Sequence, residues 1–432
     1  MLQINSILTR ARPMLESGVW AGLTTLSKAA SQLIVVKWIA LNFGPATLGV
    51  TGQAMSLIAI LQALAGGGIA NAIIRRFAID TQTSSEDFRR QQNFLSASFT
   101  YGLIFSTLFL AVALLLKNQI SNWAFDTKDY GWFVLLLGLS SYFSFLASFA
   151  QSLLSAKSLV RNIFWANALG LASGVVVFAL LTNHMAEPGI LLGLLAIMIF
   201  PACFFMVQLM GRSWFSFASL KPNWNPSINR TLVPFTLIAT IGSALAPIIF
   251  VLLRSGIEDK MGWDHVGYWQ AILKVSDFIF SFIGLLIAST FYPRVAAAKT
   301  TDEAVAQALQ FALPFTALLA CGLFITGFFG ETVLSLIYSD AYRFLKSDLN
   351  VLLFGGFFRA LAWLSAYFLM ARNHLKMFLT FEVIGSISLY AVCSTSLNYG
   401  FSALIWGQVI QSVFYLVILM AGVSYMKYTK RL

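Results

Sequence analysis

Charged side chains are what this chain has least of. Asp, Glu, Lys and Arg make up 10% of its 432 residues, well under the roughly 25% of a soluble globular domain, which excludes a water-solvated surface of ordinary size. Cysteine is as thin. Cys203, Cys321 and Cys393 are an odd number, far apart, set in apolar runs and without metal-ligand spacing, so they read as core filler and not as a disulfide framework or metal centre. The 3 histidines, His184, His265 and His374, fall in or beside loops. No H-x-x-x-H, no C-x-x-C, no G-x-S-x-G and no P-loop Gly-x4-Gly-Lys occurs, which removes the common zinc, redox, serine-nucleophile and ATP-hydrolysing chemistries. Neither a metal nor a cofactor is expected. Long polar stretches are also missing, so no soluble domain fits between the apolar runs. The apolar segment 19–43 follows Arg10 and Arg12 but is too long for a signal-peptide core and lacks a small-residue cleavage site, so it is expected to be the first membrane helix.

Apolar surface is what the chain has in excess: 58% of residues are hydrophobic and the mean hydropathy is +0.79. Windows long enough for a hydrocarbon layer of about 30 Å recur about twelve times, which predicts an all-α polytopic membrane protein. The expected cores are 18–42, 48–74, 94–116, 131–155, 163–181, 190–210, 232–255, 266–291, 305–329, 351–371, 375–397 and 401–426. Most of the 28 Lys and Arg fall at alternate loops, among them Arg75, Arg76, Arg89, Arg90, Lys157, Arg161, Arg212, Arg294, Arg372 and Lys376. The opposite loops hold only Lys117, Lys128, Lys260, Arg343 and Lys346. By the positive-inside rule this implies an even helix count with both termini cytoplasmic. The net charge of +11 therefore reports topology and carries no argument for nucleic acid.

A weak internal echo accompanies this alternation. Gly49 and Arg76 are repeated at one offset by Gly267 and Arg294, and Lys157 and Arg161 are echoed by Arg372 and Lys376. Two pseudo-symmetric six-helix lobes are expected, 1–211 and 230–432, joined by a cytoplasmic linker at 212–229 rich in Pro, Asn and Ser.

Five cations remain at membrane depth, Lys28, Lys37, Arg254, Lys274 and Arg359, against two acids, Asp277 and Glu382. A charge at mid-membrane costs roughly 2.5–3.5 kcal/mol on insertion scales, so such residues face a bundle interior or wet cavity and mark a path for substrate or ions. The surplus is positive, which favours an anionic ligand. Lys37 and Arg254 stand near helix ends, where snorkelling to the interface is the competing explanation. Lys28 and Lys37 point to opposite faces of a straight helix, so only one of them is expected to face the cavity. Arg359 sits mid-span beside Gly355 and Gly356 with no local acid. Lys274 and Asp277 share a helix face at i,i+3 spacing, fitting either a structural ion pair or a site in which Asp277 takes a proton. Glu382 is a proton site or the partner of a cation on another helix. Trp38, Trp269, Tyr268 and Trp363 offer stacking faces, although interfacial belts use the same residue types. Gly66 to Gly68 and Pro234 with Pro247 are expected to interrupt the second and seventh helices, with Pro247 a candidate hinge.

Specific stretches then point further: NFGPATLG (42–49), LAGGGI (64–69), LKPNWN (220–225), and GWDHVGYWQ (262–270) followed by Ser276-Asp277. In this order they resemble the Wzx-type polysaccharide flippases of the multidrug/oligosaccharidyl-lipid/polysaccharide (MOP) exporter superfamily, nearest to those handling enterobacterial common antigen. The resemblance implies a two-lobed, MATE-like alternating-access transporter of the bacterial inner membrane. It would move an undecaprenyl-pyrophosphate-linked oligosaccharide, of O-antigen or common-antigen type, from the cytoplasmic to the periplasmic leaflet. Membrane lipids and the polymerase and chain-length proteins of such a pathway would be its partners. Arg254, Trp263, Asp264, Gly267, Gln270, Asp277 and Glu382 match the family's residue types, whereas Lys274 and Arg359 depart from them. The implied site pairs Arg254 with Lys28 or Lys37 on the pyrophosphate, with Gln270 and the aromatics near the sugars. Two rivals stand beside it: a multidrug or cation antiporter of the same superfamily, which would favour an acidic cavity, and a membrane enzyme acting on polyprenyl-linked sugars, which would need catalytic acids or histidines in a sizeable loop.

Overall fold

The computed structural model describes the backbone over 2–79, 85–212, 214–215, 220–221, 223 and 226–428, and side chains over 16–65, 90–212 and 242–425 with a few positions between. Every long element among these residues is helical, and no strand occurs. The spanning helices are α1 (Leu2–Asn42), α2 (Gly44–Ile79), α3 (Ser85–Phe125), α4 (Gly131–Ala156), α5 (Val160–Met210), α6 (Pro226–Met261), α7 (Trp263–Leu286), α9 (Thr301–Phe328), α11 (Lys346–Ala371), α12 (Leu375–Ser396) and α13 (Phe401–Tyr428). Two short helices, α8 (Tyr292–Ala297) and α10 (Gly330–Ile337), lie between them.

Ten described helices are long and apolar enough to cross a membrane, and two details reconcile that figure with the expected dozen. α5 has 51 residues, roughly 76 Å at 1.5 Å per residue and far more than one crossing needs. At Ala186 its backbone leaves the helical region (φ 51, ψ −127), with Pro188 following. Proline cannot continue a hydrogen-bond ladder, so the chain reverses there and α5 is two antiparallel spans. α6 is the other crossing, and its side chains over 226–241 lie outside the described residues.

Turn chemistry sets the helix ends. Between α1 and α2, Gly44 takes φ +81, and between α6 and α7, Gly262 takes φ +80. This left-handed region is almost closed to other residues, so each glycine ends one helix and releases the next. The two positions are separated by the same interval as Gly49 and Gly267, so the echo read in sequence is a repeated turn in structure. Past α7 the ladder widens into a π-helical turn at Ile287–Phe291 before Pro293, a distortion expected where proline removes a donor.

Some expectations need correction. α2 stays helical through Gly66 to Gly68 and α6 through Pro234 and Pro247, so none of these residues breaks its helix. Only Cys393 is buried, while Cys203 and Cys321 are exposed on their helices and fill no core. Of the linker expected at 212–229, residues 213, 216–219, 222 and 224–225 lie outside the described residues, and its last residues, from Pro226, already belong to α6.

The chain forms two compact units: residues 1–35 with 53–251, and residues 36–52 with 252–432. The first has an aromatic core in which Phe145, Phe149 and Leu153 of α4 meet Tyr101 of α3, Phe205 of α5 and Ile73 of α2. Inside α5, Gly170 and Gly174 lie against the backbones of Pro201 and Ile197, and Gly193 against Phe178. Small residues four apart let two membrane helices touch backbone to backbone. In the second unit, Ala362, Ala366 and Leu369 of α11 pack on Tyr415 and Leu419 of α13.

Candidate functional site

The best-built polar centre lies in the second unit, where the start of α2 crosses the start of α7. A Cβ on Gly267 would stand 1.8 Å from the Pro45 carbonyl oxygen, and one on Gly49 would stand 2.8 Å from that of Trp263. Only glycine permits this approach. It brings Gln270 down onto Gly52, whose added Cβ would lie 2.6 Å from the glutamine side chain. Gln270, 1% exposed, then accepts a hydrogen bond from Arg254 Nη2 at 2.7 Å. The guanidinium carbon of Arg254 sits 5.6 Å from the ring centroid of Trp269, which is itself fully buried.

Arg254 is 5% exposed and is the one charged side chain buried among the described residues. A guanidinium carries five donors in a planar fork that suits carboxylate or phosphate oxygens. Here one donor is spent on a neutral amide oxygen and one face on an indole, an arrangement that orients the cation. About two turns beyond Gln270 on α7, Asp277 acts on Arg254 electrostatically. Asp277 also pairs with Lys274 at 3.6 Å, as the i,i+3 spacing predicts; the lysine side chain is 16% exposed and the carboxylate 62%. Lys274 is thus the sheltered member and Asp277 the open one. Tyr338, absent from the sequence reading, closes the back of α7 by donating from Oη to the Ala271 carbonyl at 2.8 Å.

The other candidates separate. Lys37, also in the second unit, donates from Nζ to the Leu336 carbonyl at 2.7 Å and so satisfies the C-terminal end of α10, where a cation meets the negative end of the helix dipole. Lys28 is exposed on α1 in the first unit. The indole N–H of Trp38 is buried with no acceptor among the described residues. Trp363 packs edge-on against Phe280 at 5.6 Å. Tyr268 sits in an aromatic cluster, 5.0 Å from Phe344 and 5.8 Å from His265. A second polar centre joins α11, α12 and α13: the Tyr415 hydroxyl donates to Glu382 Oε1, and Arg359 acts electrostatically on Tyr415 and Cys393. Gln411 extends this centre by donating to the Gly385 carbonyl at 3.0 Å. A tyrosine on α13 as partner of Glu382 had no local signal in the sequence.

The polysaccharide biosynthesis protein family matches residues 43–347, a span that contains Gly44, Gly49, Arg254, Gln270 and Asp277. The chain belongs to that family. Among curated relatives, the lipid III flippase of Escherichia coli (strain K12) is 26% identical over 382 residues, covering 85% of this chain and 88% of the relative. That of Shigella flexneri matches to the same extent. Solved structures agree on the fold. An inward-facing multidrug resistance MATE transporter of the MOP superfamily superposes with a TM-score of 0.77 at 14% identity, covering 94% of this chain and 96% of that one. The lipid II flippase MurJ, in an inward closed conformation, superposes with a TM-score of 0.73 at 14% identity, covering 94% of this chain and 87% of that one. The family member described here is therefore a multi-pass membrane protein with the MATE-like exporter fold.

Proposed function

We propose that the chain is a flippase that carries an undecaprenyl-pyrophosphate-linked oligosaccharide from the cytoplasmic to the periplasmic leaflet of the bacterial inner membrane. The observation that carries this reading is the lengthwise similarity to lipid III flippases, over 85% of this chain. Its chemistry is transport and not bond-making. Six-helix lobes at 1–211 and 230–432, linked by 212–229, would rock between inward- and outward-open states.

A pyrophosphate cannot cross hydrocarbon bare, and charge-assisted hydrogen bonds from a guanidinium are the strongest neutral-pH means of holding it. In this proposal Arg254 is the anion holder. Phosphate oxygens replace Gln270 Oε1 as acceptors when cargo arrives, and Trp269 keeps the guanidinium plane in place during the exchange. The exposed Asp277, paired with Lys274, and the Tyr415-bound Glu382 are the coupling acids. Lys28 and Arg359 add positive potential, and Tyr268, Trp38 and Trp363 are the sugar-facing aromatics. The multidrug antiporter reading has the shared fold in its favour, but a buried arginine as the central charge repels cationic drugs.

Reconstituted protein should transfer an undecaprenyl-pyrophosphate oligosaccharide across proteoliposomes, scored by sugar accessibility at the far face. Arg254→Ala should abolish transfer and Arg254→Lys restore part of it. Full transfer by Arg254→Ala would reject the arginine as anion holder, and no transfer by the unaltered protein over several sugars and imposed gradients would reject the flippase.

A further inference from the structure

Away from that centre, α9 and α11 leave a groove of about 670 Å³ on the second unit. Its walls are Leu323, Phe324 and Phe328 from α9 and Leu353, Phe354 and Phe357 from α11. The rings are strongly exposed: Phe324 is 73%, Phe328 65% and Phe354 53% accessible. Exposed apolar surface is ordinary for a membrane protein, but this surface is concave and has a polar mouth. Lys346 and Asn350 close one end, and Lys346 Nζ lies 3.0 Å from Glu331 Oε1, with both side chains partly open (39% and 54%). Gly327 is part of that mouth, since a Cβ there would come within 2.8 Å of Asn350 Oδ1.

Dimensions say how deep an occupant reaches. Lys346 is the first residue of α11 and Glu331 the second of α10, so both charges sit where helices end and the membrane interface begins. From Lys346 to Phe357 the helix rises about 17 Å, close to half of a hydrocarbon core of about 30 Å. The groove is one leaflet deep. A single exposed cation would point to an anionic lipid, but the mouth presents both signs side by side. A headgroup complementary to it carries a phosphate for Lys346 and a hydrogen-bonding ammonium for Glu331.

We propose that this groove is a binding site for a zwitterionic aminophospholipid of the phosphatidylethanolamine type. One acyl chain lies between α9 and α11, the phosphate on Lys346 and the primary ammonium on Glu331. Binding exchanges the protein's internal ion pair for two pairs with the headgroup, so charge is conserved at the mouth. A quaternary ammonium has no N–H to give Glu331, and phosphatidylglycerol offers it no cation at all, which makes headgroup choice the test. The site is independent of cargo and of the transport reading.

The full chain, delipidated in detergent and titrated with phosphatidylethanolamine, phosphatidylglycerol or phosphatidylcholine, is observed by native mass spectrometry. One phosphatidylethanolamine should be retained in preference to the other two. Lys346→Gln and Glu331→Gln should each lower its retention roughly five-fold, the scale of one lost charge-assisted contact. The exchanged pair Lys346→Glu with Glu331→Lys should keep most of it. Ala320→Trp, which plugs the exposed apolar end and leaves the charges intact, should abolish it. Equal or better retention of phosphatidylglycerol, indifference to all these variants, or failure to retain any lipid would overturn the site. Monodisperse elution and an unchanged melting temperature select the variants to be scored.

Discussion

The unit formed by 1–35 with 53–251 buries rings against rings, as where Phe99 lies 5.6 Å from Phe145 and 5.4 Å from Phe149. Among the described residues its enclosed polar groups are neutral ones such as Gln53, which donates to the Ala124 carbonyl at 2.6 Å, and Ser141, which donates to the Gly138 carbonyl at 2.7 Å. The unit formed by 36–52 with 252–432 encloses Arg254 and gathers Lys274, Asp277, Arg359, Glu382 and Tyr415 on its helices. Both units are built of apolar helices, yet their interiors differ. The described core of the first unit is apolar, and the second stores charge that must be satisfied by groups brought from elsewhere in the chain. The turns at Gly44 and Gly262 are the same device and both belong to the second unit; Arg254 stands on α6, the helix that the Gly262 turn ends.

The sharpest way to break this contrast is at the glycine crossing. Gly267→Ala should cost about 3 kcal/mol or more, because its Cβ meets a backbone carbonyl that cannot rotate away. The matched change in the first unit, Gly170→Ala, forces a Cβ to 2.4 Å from Pro201 Cα and should lower thermal stability comparably while leaving residual transport per folded molecule intact. Gly22→Ala, with open space around it, should leave the melting temperature unchanged. Loss of transport without loss of folding for Gly267→Ala would show that the crossing serves motion more than packing.

Gln270→Glu tests the charge centre next. A carboxylate in place of the amide neutralises Arg254, so the protein should stay folded while binding of an undecaprenyl-pyrophosphate ligand falls at least tenfold, the equivalent of about 1.4 kcal/mol. Unchanged ligand affinity would remove the proposed acceptor exchange. Tyr415→Phe should destabilise the second unit by about 1.5–3 kcal/mol, the range for a hydrogen bond to a charged group, and the double variant with Glu382→Gln should recover part of it. Additive losses in a double-mutant cycle would deny the pair.

The smallest effects lie in the connections outside the membrane and should run in opposite directions with pH. His374 has its pKa lowered from 6.5 by burial first and by Arg372 second, so the folded chain favours neutral imidazole. Its contribution is present above about pH 6.5 and is lost as pH falls through the folded-state value. Tyr130 in the first unit is raised above its ordinary value by burial first and by its bond to Glu187. Its contribution is present below about pH 10 and is lost as pH rises further. His374→Gln should flatten the acid limb of a melting-temperature profile by a fraction of a kcal/mol, and Tyr130→Phe the alkaline limb. Unaltered limbs in both variants would place the pH sensitivity elsewhere.

How far each feature was legible follows from how local its cause is. The spans were readable because twenty apolar residues in a row is a contiguous signal, and the α5 reversal fell between the two expected cores ending at 181 and starting at 190. The Lys274–Asp277 pair was readable because helical spacing alone brings its members together. The Gly49 and Gly267 echo was noticed, but not that the two glycines face each other, since offset repetition says nothing about contact. The partners of Glu382 and Lys37 were invisible: Tyr415 and Leu336 carry no charge and, for Lys37, the acceptor is a backbone oxygen 299 residues away. Lys346 stands in sequence among the outer-loop cations, and nothing local ties it to Glu331, fifteen residues away.

Sequence by itself determined that this is a helical membrane chain with a glycine repeated at one offset at the start of its second and eighth expected helices, and that its membrane-depth charge is predominantly positive. Those outcomes follow from hydrophobic length, backbone freedom and composition, which act over a few turns. Tertiary structure alone decided that Lys37 caps α10 while Arg254 is buried between Gln270 and Trp269. The reason is desolvation: once water is removed, each polar group must take whichever partner the packing of distant helices places within about 3 Å.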